Sequence, residues 1–300
     1  MKSKPSLSMR LVELVLKIPG NSFNAAGFLK LLPKLENRPY PSPAPIPGNF
    51  RRFVNIQEYE LEDRQVFTIS PIQDQQPIHI IYTHGGAYTL PLVIIHWFII
   101  QELIKQLGAT VTVPIYPLAP EFTYRDAFPF LKNVYQHVLG DYPAYKMVLC
   151  GDSAGGGLAL AQAMHYRDLG LPMPHHLVLF SPWLDITLAN PEATTIEPQD
   201  TLLGVPGLVQ CGLWWAGGDD PRSALLSPIY GDLAGLPSIE LFIGTKELLL
   251  PDARKLKSQA VETGIDLNLY EVPGAFHVFV AATFTPEAKH VFSQLKKVLP

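Results

Sequence analysis

Apolar residues along this chain recur with two different periods, and the alternation between them predicts its architecture. Over 7–18, Leu7, Leu11, Leu14, Val15 and Ile18 fall at helical spacing. A second short amphipathic helix is predicted from about Asn24, a cap-forming residue, to Leu35. Pro39, Pro41, Pro43, Pro45 and Pro47 then occupy alternate positions in a segment that is neither helix nor central strand, because each proline fixes φ and removes a donor. It reads as an extended strap acting as a spacer. From 53 to 61 and from 66 to 69 the period drops to two, with Asp63 and Arg64 near the reversal, which predicts an antiparallel hairpin.

Beyond the hairpin the pattern changes. Short β-branched or apolar runs at 78–83, 110–116, 145–150, 176–180, 239–243 and 267–272 are separated by helical patterns at 92–107, 123–139, 154–169 and 252–263. Strand and helix in alternation predict an α/β protein with a mostly parallel sheet and helices on both faces. Residues 186–237 interrupt the alternation with six prolines, seven glycines and the Trp214-Trp215 pair, and carry only weak helical signal. A connection that long inside a compact α/β domain is usually a lid or binding insertion. The expectation is one domain over 1–300, with a small helical cap from 1–50 and 186–237 above a core from 51–185 and 238–300.

Composition narrows the partners. The 47% hydrophobic content supplies a sizeable core, and with 17% charged residues and a net charge of −4 no basic field is apparent for nucleic acid or an anionic membrane. Cys150 and Cys211 are too few for a disulfide framework and fit a reducing, cytoplasmic setting. The first apolar stretch is broken by Glu13 and Lys17 and lacks a small-residue cleavage site, so it does not read as a signal peptide. The most apolar run, 90–100, contains Pro91 and His96 and falls short of the ~20 residues of a membrane span; it reads as a buried helix. Monomer and homodimer both remain open.

The chemistry centres on Gly151-Asp152-Ser153-Ala154-Gly155, a GxSxG between an apolar strand and a helix. Glycines on both sides of the serine permit the sharp turn that lifts a nucleophilic hydroxyl out of a sheet. A serine needs a base, and His277, in a glycine-bearing loop after the last strand signal, is the best placed. His79, His96, His137, His165, His175, His176 and His290 read as packed or surface residues, and no metal-site spacing joins them. The base needs a carboxylate, and Glu247 and Asp252 follow the 239–243 strand; Asp252 also suits a helix cap, which leaves Glu247 as the expected orienter. In His84-Gly85-Gly86-Ala87-Tyr88, small residues in succession let backbone N–H groups converge on a carbonyl oxygen.

Together these runs resemble the hormone-sensitive-lipase-like carboxylesterases of the α/β-hydrolase superfamily. His84-Gly85-Gly86 resembles that family's HGGG, Tyr116-Pro117-Leu118-Ala119-Pro120-Glu121 its YRLAPE, Gly151 to Gly156 its GDSAGG, and Ser181-Pro182-Trp183 its SPW element. The resemblance implies an α/β-hydrolase fold with Ser153 as nucleophile, His277 as base, and an oxyanion hole from the N–H groups of Gly85, Gly86, Ala87 and Ala154, with His84 and Asp152 in support. Three departures stand out: Ala87 replaces the third glycine, tolerable while its φ stays negative, Pro117 replaces an arginine, and Glu247 stands where the family places aspartate.

The expected activity is hydrolysis of small carboxylic esters through an acyl-enzyme, with neither cofactor nor metal. Deacetylation of sugars or natural products is the nearest alternative, and a hydrolase-fold binding protein without turnover is the rival from another class. Tyr88, Trp214, Trp215 and Phe276 are candidates for lining an apolar pocket. Ala87, those aromatics and the lack of a long apolar surface suited to lipid point to short acyl chains, acetyl to hexanoyl. Protonation of the base should reduce activity below a pKa of about 6 to 7.

Overall fold

The computed structural model describes residues 4–18, 25–36 and 38–299. Eight strands form one sheet: β1 Val54–Leu61, β2 Arg64–Pro71, β3 His79–Thr83, β4 Thr110–Pro114, β5 Met147–Asp152, β6 His176–Phe180, β7 Ser238–Gly244 and β8 Leu267–Val272. Their spatial order is β1-β2-β4-β3-β5-β6-β7-β8. The hairpin β1–β2 pairs Leu61 with Arg64 at its turn, β2 joins β4 antiparallel, and every later pairing is parallel. Every residue of β3, β4, β5 and β6 is buried, which is why these strands read as unbroken apolar runs rather than alternations.

The helices are α1 Leu7–Leu16, α2 Ala25–Leu35, α3 Ile94–Leu107, α4 Tyr124–Asp141, α5 Ala154–Asp168, α6 Ala193–Ile196, α7 Val205–Ala216, α8 Leu250–Thr263 and α9 Pro286–Val298. Alternate strand residues divide the core into two layers. Ile81, Leu149 and Leu241 pack with α4, α5 and α8, whereas Ile80, Val148 and Phe180 pack with α3 and α9. The expected parallel sheet between helical layers, opened by an antiparallel hairpin, is the architecture observed.

Local differences have physical causes. The 186–237 interval contains the twelve-residue α7, whose periodicity is weak because both of its sides pack; Phe28 of α2 lies against Gly207. Asn24 lies outside the described residues. At α1 the predicted apolar stripe exists but points outward. The opposite face holds the helix down: Met9 and Glu13 are buried, Glu13 pairs with Lys246 at 2.8 Å, and Ser6 N–H donates to Glu287 at 2.6 Å.

Candidate active site

The turn between β5 and α5 places Ser153 at φ +52° and ψ −123°, a strained conformation that presents its side chain at the end of the sheet. Its N–H donates to Phe180 O at 2.9 Å and its carbonyl accepts from Trp183 N–H at 2.8 Å, so the neighbouring β6 end fixes the turn. A Cβ on Gly155 would lie 2.0 Å from Thr83 O, which is why glycine is required where α5 crosses the sheet end.

His277, in the loop after β8, reaches this serine: Nε2 is 2.8 Å from Ser153 Oγ and Nδ1 is 2.9 Å from Glu247 Oε2. With Nδ1–H donating to the carboxylate, Nε2 is left to accept the Ser153 hydroxyl proton. Glu247 is fully buried beyond β7, and its Oε1 accepts from Ser181 Oγ–H at 2.7 Å and Gly244 N–H at 2.5 Å. Burial disfavours a charged His277, but the hydrogen bond and charge of Glu247, with Asp200 and Asp152 adding to them, outweigh it and raise the pKa above 6.5. Burial also raises the Glu247 carboxyl, against hydrogen bonds from His277, Gly244 and Ser181.

The His84 to Tyr88 loop runs beside Ser153, and two expectations about it need correction. Gly85 N–H is committed to the end of β5, donating to Asp152 Oδ1 at 2.9 Å, whereas Gly86, Ala87 and Ala154 N–H groups have no partner among the described residues. Ala87 has φ +52° rather than a negative value, between Gly86 at +116° and Tyr88 at +60°. For a residue with a Cβ this left-handed conformation costs about 1–2 kcal/mol, and the turn is held by Thr89 and Leu90 N–H groups donating to Gly86 O. Asp152 also accepts from Tyr82 OH, and His96, expected to be an unremarkable packed side chain, lies with Nε2 3.5 Å from its other oxygen. Behind the loop, His84 Nδ1–H donates to Gly85 O at 2.7 Å and the ring stacks on Tyr116 at 4.5 Å; burial pushes its pKa down to about 3, so it stays neutral.

Asp252 does not cap α8. Leu249 occupies the cap position, and Asp252 sits buried in the first turn, where Oδ1 accepts from Asn190 Nδ2 at 3.0 Å. The four proposed pocket aromatics do not form one cluster. Tyr88 and Trp215 stack in parallel at 4.5 Å and are fully buried, Trp214 is half-buried against the same layer, and Phe276 belongs to the other layer.

Two residues that sequence reasoning passed over bear on the acid loop. Ser181 opens the SPW run, and its buried hydroxyl bridges Glu247 and Val278 N–H, the latter at 3.1 Å. Its position just beyond the carboxyl end of β6, where open α/β sheets gather their functional groups, was an available signal. Asp200 lay in the interval of weak signal; it accepts from Leu248 N–H at 2.7 Å and so ties the 186–237 insertion to the residue after Glu247. Among the described residues no group of His, Cys, Asp and Glu side chains is arranged to hold a metal.

Comparison with known proteins gives the family. A family model described as alpha/beta hydrolase fold matches residues 80–281. An acetyl-hydrolase from Streptomyces hygroscopicus is 35% identical over 201 residues, 67% of each chain. An esterase from Acinetobacter venetianus is 32% identical over 221 residues, 72% of each chain. Among solved structures, a hormone-sensitive lipase from a metagenome library superposes with a TM-score of 0.81 at 27% identity, over 99% of this chain and 98% of that one. The chain belongs to the α/β-hydrolase family, in its hormone-sensitive-lipase-like branch of ester hydrolases.

Proposed function

We propose that the protein is a serine carboxylesterase acting on small-molecule esters with short acyl chains. The observation that carries this reading is the unbroken hydrogen-bonded line from Ser153 Oγ through His277 to Glu247, at 2.8 and 2.9 Å. Ser153 Oγ attacks the ester carbonyl while His277 Nε2 takes its proton. The carbonyl oxygen becomes an oxyanion facing Gly86, Ala87 and Ala154 N–H groups, the last at the positive end of α5. Collapse of the tetrahedral species breaks the bond to the alcohol oxygen, which leaves with the proton from His277, and an acyl-Ser153 remains. Water, deprotonated by His277, repeats the addition and releases the acid. Throughout, buried Glu247 holds the imidazole in the required tautomer and stabilises its charged form.

The described parts of 1–50 and the 186–237 insertion act in this reading as a cap, supported by the packing of α2 on α7 and by the ties of Asp200 and Asn190 to the acid loop and α8. Ala87 and the Tyr88–Trp215 stack beside the oxyanion loop support a confined acyl side. The acetyl-hydrolase relative makes deacetylation of a natural product the second reading within the same chemistry. Cys150 and Cys211, both buried and unpaired, support a reducing, cytoplasmic setting.

Turnover of p-nitrophenyl esters of rising acyl length tests the substrate class. Rates should be highest from acetyl to hexanoyl, and equal rates on sixteen-carbon esters would contradict the confined acyl side. The pH dependence of kcat/KM tests the base. Because His277 must be neutral to accept the proton and its pKa is raised, activity should fall on acidification with a midpoint above 6.5. A midpoint well below 6.5, or a flat acid side, would remove His277 from the role.

A further inference from the structure

We propose that α1 is a docking helix that lies on an anionic lipid surface. On α1 and the residue just beyond its cap, Leu7, Leu11, Leu14, Val15 and Ile18 are 72%, 54%, 62%, 60% and 55% exposed. They fall at i, i+4, i+7, i+8 and i+11, so one side of the helix presents a continuous apolar stripe to solvent. A scatter of single exposed apolar residues needs no explanation, but five large ones aligned on one short helix do. The helix is not loose: Ser6 Oγ accepts from Met9 N–H at 3.2 Å as its cap, Ser6 is bonded to Glu287, and Glu13 is clamped by Lys246 and Lys17, each at 2.8 Å. The anchored side is thus opposite the apolar one. Phe284, three residues before Glu287, is also 62% exposed.

Charge selects the partner. Residues 4–18 hold three of the chain's 23 Lys and Arg, namely Lys4, Arg10 and Lys17, and one of its 27 Asp and Glu, Glu13, an excess of two positive charges on a chain of net −4. Lys4, Arg10 and Lys17 are exposed on or beside α1, and no ion pair is recorded for Lys4 or Arg10 among the described residues. The balance of the whole chain concealed this local field. A helix flanked by cations, with an outward apolar stripe, fits a helix lying in the plane of a bilayer interface, where acyl chains take the apolar side and phosphate headgroups the cations. Ten residues are too few to span, and among the described residues no helix is long and apolar enough to cross a membrane. A second copy is a poorer occupant, because a two-fold interface on this face gathers the Lys4 and Arg10 of both copies into one patch of like charge. Lys246 is the neighbour of Glu247, so a surface held by α1 lies beside the proposed esterase site, although the docking itself does not depend on that chemistry.

Flotation of the full chain with vesicles tests this directly. The protein should rise with phosphatidylcholine vesicles containing about one-third phosphatidylglycerol, stay behind with pure phosphatidylcholine, and be released as salt increases. Replacing Leu11→Gln, Leu14→Gln and Val15→Gln together should weaken partitioning by about tenfold or more, and Arg10→Glu should reduce it on the anionic vesicles. These side chains are exposed, so melting temperature and circular dichroism should not change, which separates failure of docking from failure of the fold, and flotation is read without reference to ester turnover. No flotation with anionic vesicles, flotation unaffected by the substitutions, or a wild-type dimer that the triple substitution dissolves would each overturn the proposal.

Discussion

Ser153→Ala is expected to lower kcat for ester hydrolysis by up to about 10⁶-fold while leaving the fold intact. The hydroxyl is hydrogen-bonded to His277 and makes no cap for α5, so its loss leaves the helix start unchanged. The turn itself rests on backbone bonds from Ser153 to Phe180 and Trp183 and on the glycines around it, and alanine adopts the strained φ at the same cost as serine. Some acceleration should survive, because Gly86, Ala87 and Ala154 N–H groups still face the carbonyl oxygen. Steady-state kinetics together with circular dichroism check both halves of the expectation; a variant within tenfold of wild type would contradict the nucleophile assignment.

Glu247→Gln should cost as much as about 10⁴-fold in kcat. The carboxylate accepts from three donors, His277 Nδ1–H, Ser181 Oγ–H and Gly244 N–H. An amide offers one oxygen and turns its NH₂ toward at least one of them, which either reverses the imidazole tautomer or leaves a buried donor opposed. Asp252→Asn should be nearly silent, because it keeps an oxygen for Asn190 Nδ2 and its recorded partner lies on the 186–237 insertion rather than on His277. Kinetics on the pair decides between them: a dead Asp252 variant beside an active Glu247 variant would reverse the roles.

Much of this was legible because parallel strands buried on both faces cannot hide their apolar runs, and a serine turn between strand and helix cannot be built without its glycines. What escaped the sequence depends on partners rather than on residue types. Periodicity revealed the stripe on α1 but not that the opposite side, through Glu13 and Ser6, would be the one held down. Asp252 follows a proline at a helix start, yet the chain enters α8 two residues earlier and turns the carboxylate toward Asn190. The N–H of Gly85 counts as an oxyanion donor by position, and only the fold shows it taken by Asp152. Ala87 adopts a conformation natural to the glycine it replaces, which spacing alone does not reveal. Ser181 lies 66 positions before Glu247, and that contact exists only because β6 and β7 are neighbours.

The most direct test of the central claim is to treat the protein with a fluorophosphonate and locate the adduct by mass spectrometry. A single phosphonylated serine at Ser153, formed more slowly as pH falls and absent in Ser153→Ala, is the predicted result. Labelling at another residue, or labelling that persists in Ser153→Ala while ester turnover continues, would contradict it.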